Sequence, residues 1–207
     1  HENDVALRYP RRWPERQNEE ERAKFLEILR GLYSDDSLSV WFGDEAGFEG
    51  DPRPRRVWVK KGSKPKVPYL GDHIRESVVG AVNPKAGDFF SLVVPQSDSD
   101  IFQAFLDEFA KHTSKKEKGK KTVLVVDNAS WHKNTSIRWH HITPVFLPAY
   151  SPDLNPIEVI WRVLKERFFT GWIAKTPDDL VQRLCSAIRS LIAEEVSSIA
   201  SIDHLLH

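Results

Sequence analysis

The sequence predicts an α/β protein with one mixed central sheet flanked by helices, an antiparallel meander first and parallel strands after it. Three observations predict this. The runs Ser77 to Val82 and Phe89 to Val94, separated by the turn-forming stretch Asn83 to Gly87, read as a hairpin. The run Thr122 to Val126 is short and apolar, the kind of strand buried on both faces of a parallel sheet. From residue 99 onward, helical and extended patterns alternate as helix–strand–helix–strand–helix, an order that layers helices on a sheet.

Each element has its own reason. Residues 1–15 contain Pro10, Pro14 and several arginines and carry no periodic pattern. From Arg16 to Tyr33 the pattern is helical, with Phe25, Ile28, Leu29 and Leu32 on one face, and Asp35-Asp36 ends it. Leu38 to Gly43 reads as a strand whose Val40 and Phe42 alternate toward Asp44. Residues 50–56 form a Pro- and Arg-rich loop, Val57-Trp58-Val59 a short strand, and 62–73 a further loop. After the hairpin, Ser97 to Asp100 supply capping residues for a helix that buries Phe102, Phe105, Leu106 and Phe109. Lys111 to Lys121 reads as a basic linker, 134–140 as a short helix, Ile142 to Leu147 as a strand and 148–156 as a loop. A helix over 155–169 turns Ile157, Ile160, Trp161, Leu164 and Phe168 inward. A last helix, from Pro177 to about Glu194, buries Leu180, Leu184, Ala187, Ile188 and Leu191. There is no internal repeat. The expected organisation is an N-terminal linker and helix, residues 1–33, followed by a single domain over 34–207.

Composition narrows the function classes. The 207 residues carry 30 Lys and Arg against 30 Asp and Glu, a formal net charge of zero, so partners must be inferred from charge distribution and not from the sum. Basic residues cluster at Arg11-Arg12, between Arg53 and Lys66, and between Lys111 and Lys121. Any one cluster reads equally well as a solvated loop; three on a neutral chain favour a polyanionic partner. No apolar run approaches the roughly 18 residues that span a bilayer, and no signal-peptide pattern is present, so no membrane partner is expected. The single cysteine, Cys185, cannot form an internal disulfide, and no cysteine cluster suggests zinc. The chain starts at His1 and contains no Met, which suggests a piece of a longer protein.

Three acids stand at element ends: Asp44 after the strand 38–43, Asp127 after the strand 122–126, and Glu158 in the first turn of the helix that follows Asn155. Carboxylates at strand ends can converge at one edge of a sheet. Three together repel one another unless a cation is bound, and an all-oxygen set favours hard ions such as magnesium or manganese. Each acid also has a plainer reading. Asp127 with Asn128 could begin a turn, Asp44 with Glu45 could decorate the surface, and Glu158 could complete a capping box with Asn155 as cap and Pro156 at the first helical position.

The surrounding motifs shift that balance. The segment Tyr150-Ser151-Pro152-Asp153-Leu154-Asn155-Pro156-Ile157-Glu158, followed by Trp161, closely resembles a signature of the mariner superfamily of transposases, including its bacterial insertion-sequence branch. Val125-Val126-Asp127-Asn128-Ala129 with Trp131-His132 resembles that family's second-aspartate motif, and Trp41-Phe42-Gly43-Asp44-Glu45-Ala46-Gly47-Phe48 its first. The resemblance covers about residues 38–170. It implies a ribonuclease-H-like fold with two Mg2+ ions, replaceable by Mn2+, on Asp44, Asp127 and Glu158. It further implies cleavage at transposon ends, then attack of the exposed 3′-hydroxyl on target DNA, usually at a TA dinucleotide, within a homodimer or larger synaptic complex. The corresponding location is the bacterial cytoplasm near the nucleoid, or the nucleus in a eukaryote.

Two departures qualify the resemblance. The gap between Asp127 and Glu158 is a little shorter than in many family members, which reads as a shortened connection. The helix-turn-helix units that precede the family's catalytic domain have no counterpart here, so recognition of the end sequence is expected to lie elsewhere. Candidate DNA contacts are His132, Lys133, Arg162, Lys165, Arg55, Arg56, Lys60 and Lys61. Arg162 and Lys165 follow Glu158 at helical offsets and share its face, which suits phosphate contact or a Glu–Arg pair equally well. His132 could position DNA or a water, or be a structural histidine; Trp131 reads as packing, and His140-His141 lack a partner set. Candidate protein contacts are segments 50–68 and 1–33. The alternatives are a hydrolysis-only nuclease of the same fold and a domesticated DNA-binding module; retention of all three acids disfavours the second.

Overall fold

A computed structural model of the chain describes residues 17–52, 58–95, 98–116, 119–129, 132 and 134–206. The first helix, α1 (Glu19–Ser34), starts at Asn18, whose side chain accepts hydrogen bonds from the backbone N–H groups of Glu20 and Glu21. Three glutamates in its first turn complement the positive end of the helix. It buries Phe25 and Leu29.

Five strands follow: β1 (Leu38–Glu49), β2 (Arg75–Asn83), β3 (Asp88–Val94), β4 (Lys121–Val126) and β5 (Thr143–Phe146). Their order across the sheet is β3-β2-β1-β4-β5. β1–β2 and β2–β3 are antiparallel, while β1–β4 and β4–β5 are parallel, as the hairpin and the buried apolar run predict. The helices are α2 (Ser99–Lys116), α3 (Ile157–Phe168), α4 (Pro177–Arg189), α5 (Ala193–Ile199) and α6 (Asp203–Leu206).

Strand alternation divides the interior into two cores. Val40, Phe42, Ala46 and Phe48 of β1 join Phe25 and Leu29 of α1, Ile157, Ile160, Trp161 and Leu164 of α3, and Leu180 and Leu184 of α4. Trp41 of β1 joins Val79, Ala81, Leu124 and Val126 on the other face, under Phe102, Phe105, Leu106 and Phe109 of α2. The Trp161 indole lies directly on the sheet at Gly80, where a Cβ would stand 2.7 Å from the ring. At the hairpin turn, Gly87 has φ +65 and a Cβ there would strike the Ala193 carbonyl.

Several expectations need correction. β1 does not stop at Gly43. Its ladder with β2 continues from Asp44↔Gly80 to Glu49↔Arg75, so Asp44 lies within a strand. Trp58 and Val59 belong to no strand; they are exposed and have no sheet partner, and Val57 lies outside the described residues. Lys111 to Lys116 form the last turns of α2 and not a linker, because Ala110 and Thr113 prolong its buried stripe. Residues 134–140 make a turn, in which Asn134 accepts the N–H of Ser136 through its side chain and that of Ile137 through its carbonyl. The last expected helix ends early, at Arg189, and α5 and α6 follow. No helix among the described residues is long and apolar enough to cross a membrane.

Candidate active site

The three acids come from three separate elements. Asp44 sits on β1 in the row of side chains that faces α3, with Gly80 as its cross-strand partner. Asp127 directly follows the last residue of β4, and Glu158 is the second residue of α3. All three line one cavity of about 400 Å³, walled by Leu147, Pro148, Ala149, Tyr150, Ser151, Pro152 and Asn155.

The connection before α3 sets this arrangement. After β5 the chain makes a single 3-10 turn, Pro152–Leu154, and the Asn155 N–H bonds the Pro152 carbonyl. Asn155 is buried, and its Nδ2 donates to the Gly43 carbonyl at 3.1 Å, tying the start of α3 to the residue before Asp44. The capping box that was the plainer alternative for Glu158 is therefore absent. α3 is capped by Pro156 with no side-chain bond, and the exposed Glu158 carboxylate is not spent on the helix end. The outer wall is pinned from α1 and the residues before it. Arg22 makes a bidentate pair with Asp153 at 3.0 and 2.7 Å, and Gln17 Nε2 donates to the Tyr150 carbonyl at 3.1 Å. Tyr150 has φ +58, a left-handed conformation that costs a non-glycine residue roughly 1–3 kcal/mol and is tolerated where surrounding contacts impose it.

Electrostatics separate the acids. Burial and the neighbouring Glu158 charge hold the Asp44 carboxyl far above the usual carboxylate range, to about 8. The hydrogen bond from His132 lowers Asp127. His132 itself is desolvated, which pulls it down, but Asp127 and Glu45 raise it to about 9.

The donor set suits hard divalent cations. Three carboxylates face the cavity, and no lysine or arginine stands among its described lining residues. Asn155 Oδ1 is buried without a hydrogen-bond partner among the described residues, leaving one more oxygen for a cation or its water. Among the described residues no three His, Cys, Asp or Glu side chains close on a single point tightly enough to hold one ion.

The other candidates are dispersed. His132 is buried at 1% side-chain exposure, which removes it from the surface where DNA would lie. Its Nδ1 stands 2.7 Å from Asp127 Oδ1 and 3.3 Å from the Asp127 carbonyl. Arg162 is exposed and forms no ion pair with Glu158, whereas Lys165 lies over the Phe48 ring at 5.0 Å. Lys60 and Lys61 are exposed on the segment between β1 and β2 and do not line the cavity. Arg55, Arg56, Lys133 and Trp131 lie outside the described residues. His140 pairs with Asp107 at 2.7 Å and His141 with Thr113 at 2.9 Å, so both have partners away from the acids. Sequence reasoning missed Glu45 and the side chain of Asn155. The alternation of β1 held a signal for the first, since it places Glu45 on the face opposite Asp44.

A family model described as DDE superfamily endonuclease matches residues 39–181. An uncharacterised protein, y4pE/y4sA, of Sinorhizobium fredii is 34% identical over 116 residues, covering 56% of this chain and 84% of that protein. The insertion element IS630 uncharacterised 39 kDa protein of Shigella sonnei is 25% identical over 132 residues, covering 61% of this chain and 38% of that protein. Among solved structures, the mariner Mos1 paired-end complex with Mg superposes with a TM-score of 0.78 at 16% identity, over 99% of this chain and 64% of that one. The Mos1 catalytic domain alone superposes with a TM-score of 0.62 at 16% identity, over 96% of this chain and 92% of that one. At these identities the structural matches establish the fold, which is the ribonuclease-H-like one expected. The chain spans just under two thirds of the Mos1 chains in the strand-transfer and paired-end complexes it matches.

Proposed function

For a chain that belongs to the DDE superfamily endonucleases, we propose the catalytic part of a cut-and-paste DNA transposase, with Asp44, Asp127 and Glu158 as its acidic triad. The observation that carries the proposal is the meeting of these three acids, from β1, β4 and α3, at one cavity without a compensating lysine or arginine among its described lining residues. The curated insertion-element relative and the Mos1 complexes with transposon ends, with Mn and with Mg point the same way.

Bound to the triad, two divalent cations (Mg2+, with Mn2+ as substitute) would neutralise phosphate charge and activate the attacking hydroxyl. Asp44, Asp127 and Glu158 would hold them through carboxylate oxygens, with Asp44 giving up its proton as they bind. Asn155 keeps the start of α3 against β1, so Glu158 stays in register with Asp44. Leu147 and Pro148 add apolar surface to the wall of the same cavity. In the first step, water attacks phosphorus and the 3′-oxygen leaves as a 3′-hydroxyl. In the second, that hydroxyl attacks a target phosphodiester, usually at TA, and the target's own 3′-oxygen leaves. Both are in-line displacements at phosphorus, so one acid set serves both. The partners are transposon-end and target DNA, held in a homodimer or larger synaptic complex.

The test is cleavage and joining of labelled element-end DNA in Mn2+ and Mg2+, with wild-type protein and Asp127→Asn. The expected result is nicked and joined products from wild type and neither from the variant, whose circular dichroism is unchanged. Nicking without joining would favour a hydrolysis-only nuclease. DNA binding without either product would favour a binding module. Normal cleavage by Asp127→Asn would remove the triad from the mechanism.

A further inference from the structure

β1 and β4 are joined by side chains beyond the point where their backbones part. Their parallel ladder ends at Phe42↔Val125. Past it, among the described residues, β1 pairs on with β2, and β4 with β5 through Val126↔Phe146. Asp44 and Asp127 both lie two residues beyond this last pair, where, among the described residues, the ladder no longer ties one strand to the other.

Successive strand residues face opposite sides of a sheet. Asp44 belongs to the row of Phe42 and Ala46, so Glu45 points through to the face covered by α2. There His132 is buried with its ring 4.2 Å from the Phe102 ring of α2. Its Nδ1 stands 2.7 Å from Asp127 Oδ1, and its Nε2 stands 3.5 Å from Glu45 Oε1. The two imidazole nitrogens project from opposite sides of one rigid ring, which suits it to span two carboxylates. The Ala129 N–H reaches the same Asp127 Oδ1 at 3.0 Å, so both contacts fix one oxygen of that carboxylate.

We propose that His132, backed by Glu45, is a positioning residue that holds Asp127 relative to Asp44 where the ladder has ended, and so sets the affinity of the acidic cavity for divalent cations. This rests on the reading of Asp44, Asp127 and Glu158 as cation ligands. His132 is not among the residues that line the cavity, and it acts through Asp127.

The test is Mn2+ binding to this chain by titration calorimetry, with wild type, His132→Ala, His132→Asn and His132→Gln. Loss of a hydrogen-bond partner behind a metal ligand typically weakens affinity by about 10–100-fold, and that is the loss expected for His132→Ala. The asparagine amide reaches the place of Nδ1 and restores most of the affinity; the glutamine amide reaches the place of Nε2 and does not. A purely structural histidine would lower the melting temperature of all three variants and leave Mn2+ affinity of the folded protein unchanged. Wild-type affinity in a folded His132→Ala protein therefore overturns the proposal. If that variant does not fold, equal affinities of the Asn and Gln variants overturn it instead. Absence of Mn2+ binding by wild type overturns the ligand reading together with this one, whereas normal wild-type binding with unaffected variants overturns this one alone.

Discussion

At Asp44, burial and the charge of Glu158 favour a proton over a negative charge, and the carboxyl is pushed up to about 8. An unfolded aspartate titrates near 4, so the folded, cation-free protein binds this proton more tightly than the unfolded chain does. Its contribution to stability is fully present below about pH 4 and is lost as pH rises toward 8. A divalent cation held by Asp44, as proposed, would have to displace the same proton, so its affinity would rise over that range. The melting-temperature increase caused by Mn2+ is therefore expected to be larger at pH 8 than at pH 6, and Asp44→Asn should abolish that difference. An equal increase at both values, measured by scanning calorimetry, would separate Asp44 from cation binding.

Among the elements, the start of α3 carries most of the design. Asn155 is buried and bonds the Gly43 carbonyl, so Asn155→Ala leaves a buried acceptor unpaired, a loss of about 1–3 kcal/mol. Urea unfolding should show that loss, and cleavage should fall further than stability does, because Glu158 loses its register with Asp44. A variant of unchanged stability would mean that this bond does not hold the helix. The helix itself was legible in the sequence, since Ile157, Ile160, Trp161 and Leu164 repeat at helical spacing. The job of Asn155 was not, because Asn before Pro and three residues ahead of an acid spells a capping box just as well. β1 was legible as far as Gly43. Its extension through Asp44 depends on pairing with β2, a long-range contact that two glycines and three acids in the strand conceal. Lys111 to Lys116 hid the end of α2 in a similar way, because their charge suggests a linker while the stripe of Ala110 and Thr113 lies beneath it.

For the whole molecule, a mixed sheet flanked by helices followed from pattern alone, and the motif around Glu158 pointed to the family; the strand order β3-β2-β1-β4-β5 came only with the structure. What binds outside the cavity was less legible, because solvated charge looks alike wherever it sits. The segment between β1 and β2 exposes Trp58, Val59, Val67, Tyr69 and Leu70 beside Lys60 and Lys61, while Asp51 closes its base by accepting the N–H groups of Leu70 and Gly71. If this segment and the basic end of α2 track DNA phosphates, binding weakens steeply with salt. Replacing both Lys60 and Lys61 with glutamate should then flatten the slope of log affinity against log salt by about two phosphate contacts, each worth roughly 0.9 in slope. An unchanged slope in a fluorescence-anisotropy titration would exclude both lysines from the DNA path. The central claim, that three acids from β1, β4 and α3 form one cation site, is tested most directly by anomalous scattering from crystals of this chain soaked in Mn2+. The account predicts manganese peaks between Asp44, Asp127 and Glu158. Ordered carboxylates with no manganese between them, at a concentration that fills sites elsewhere on the protein, would contradict it.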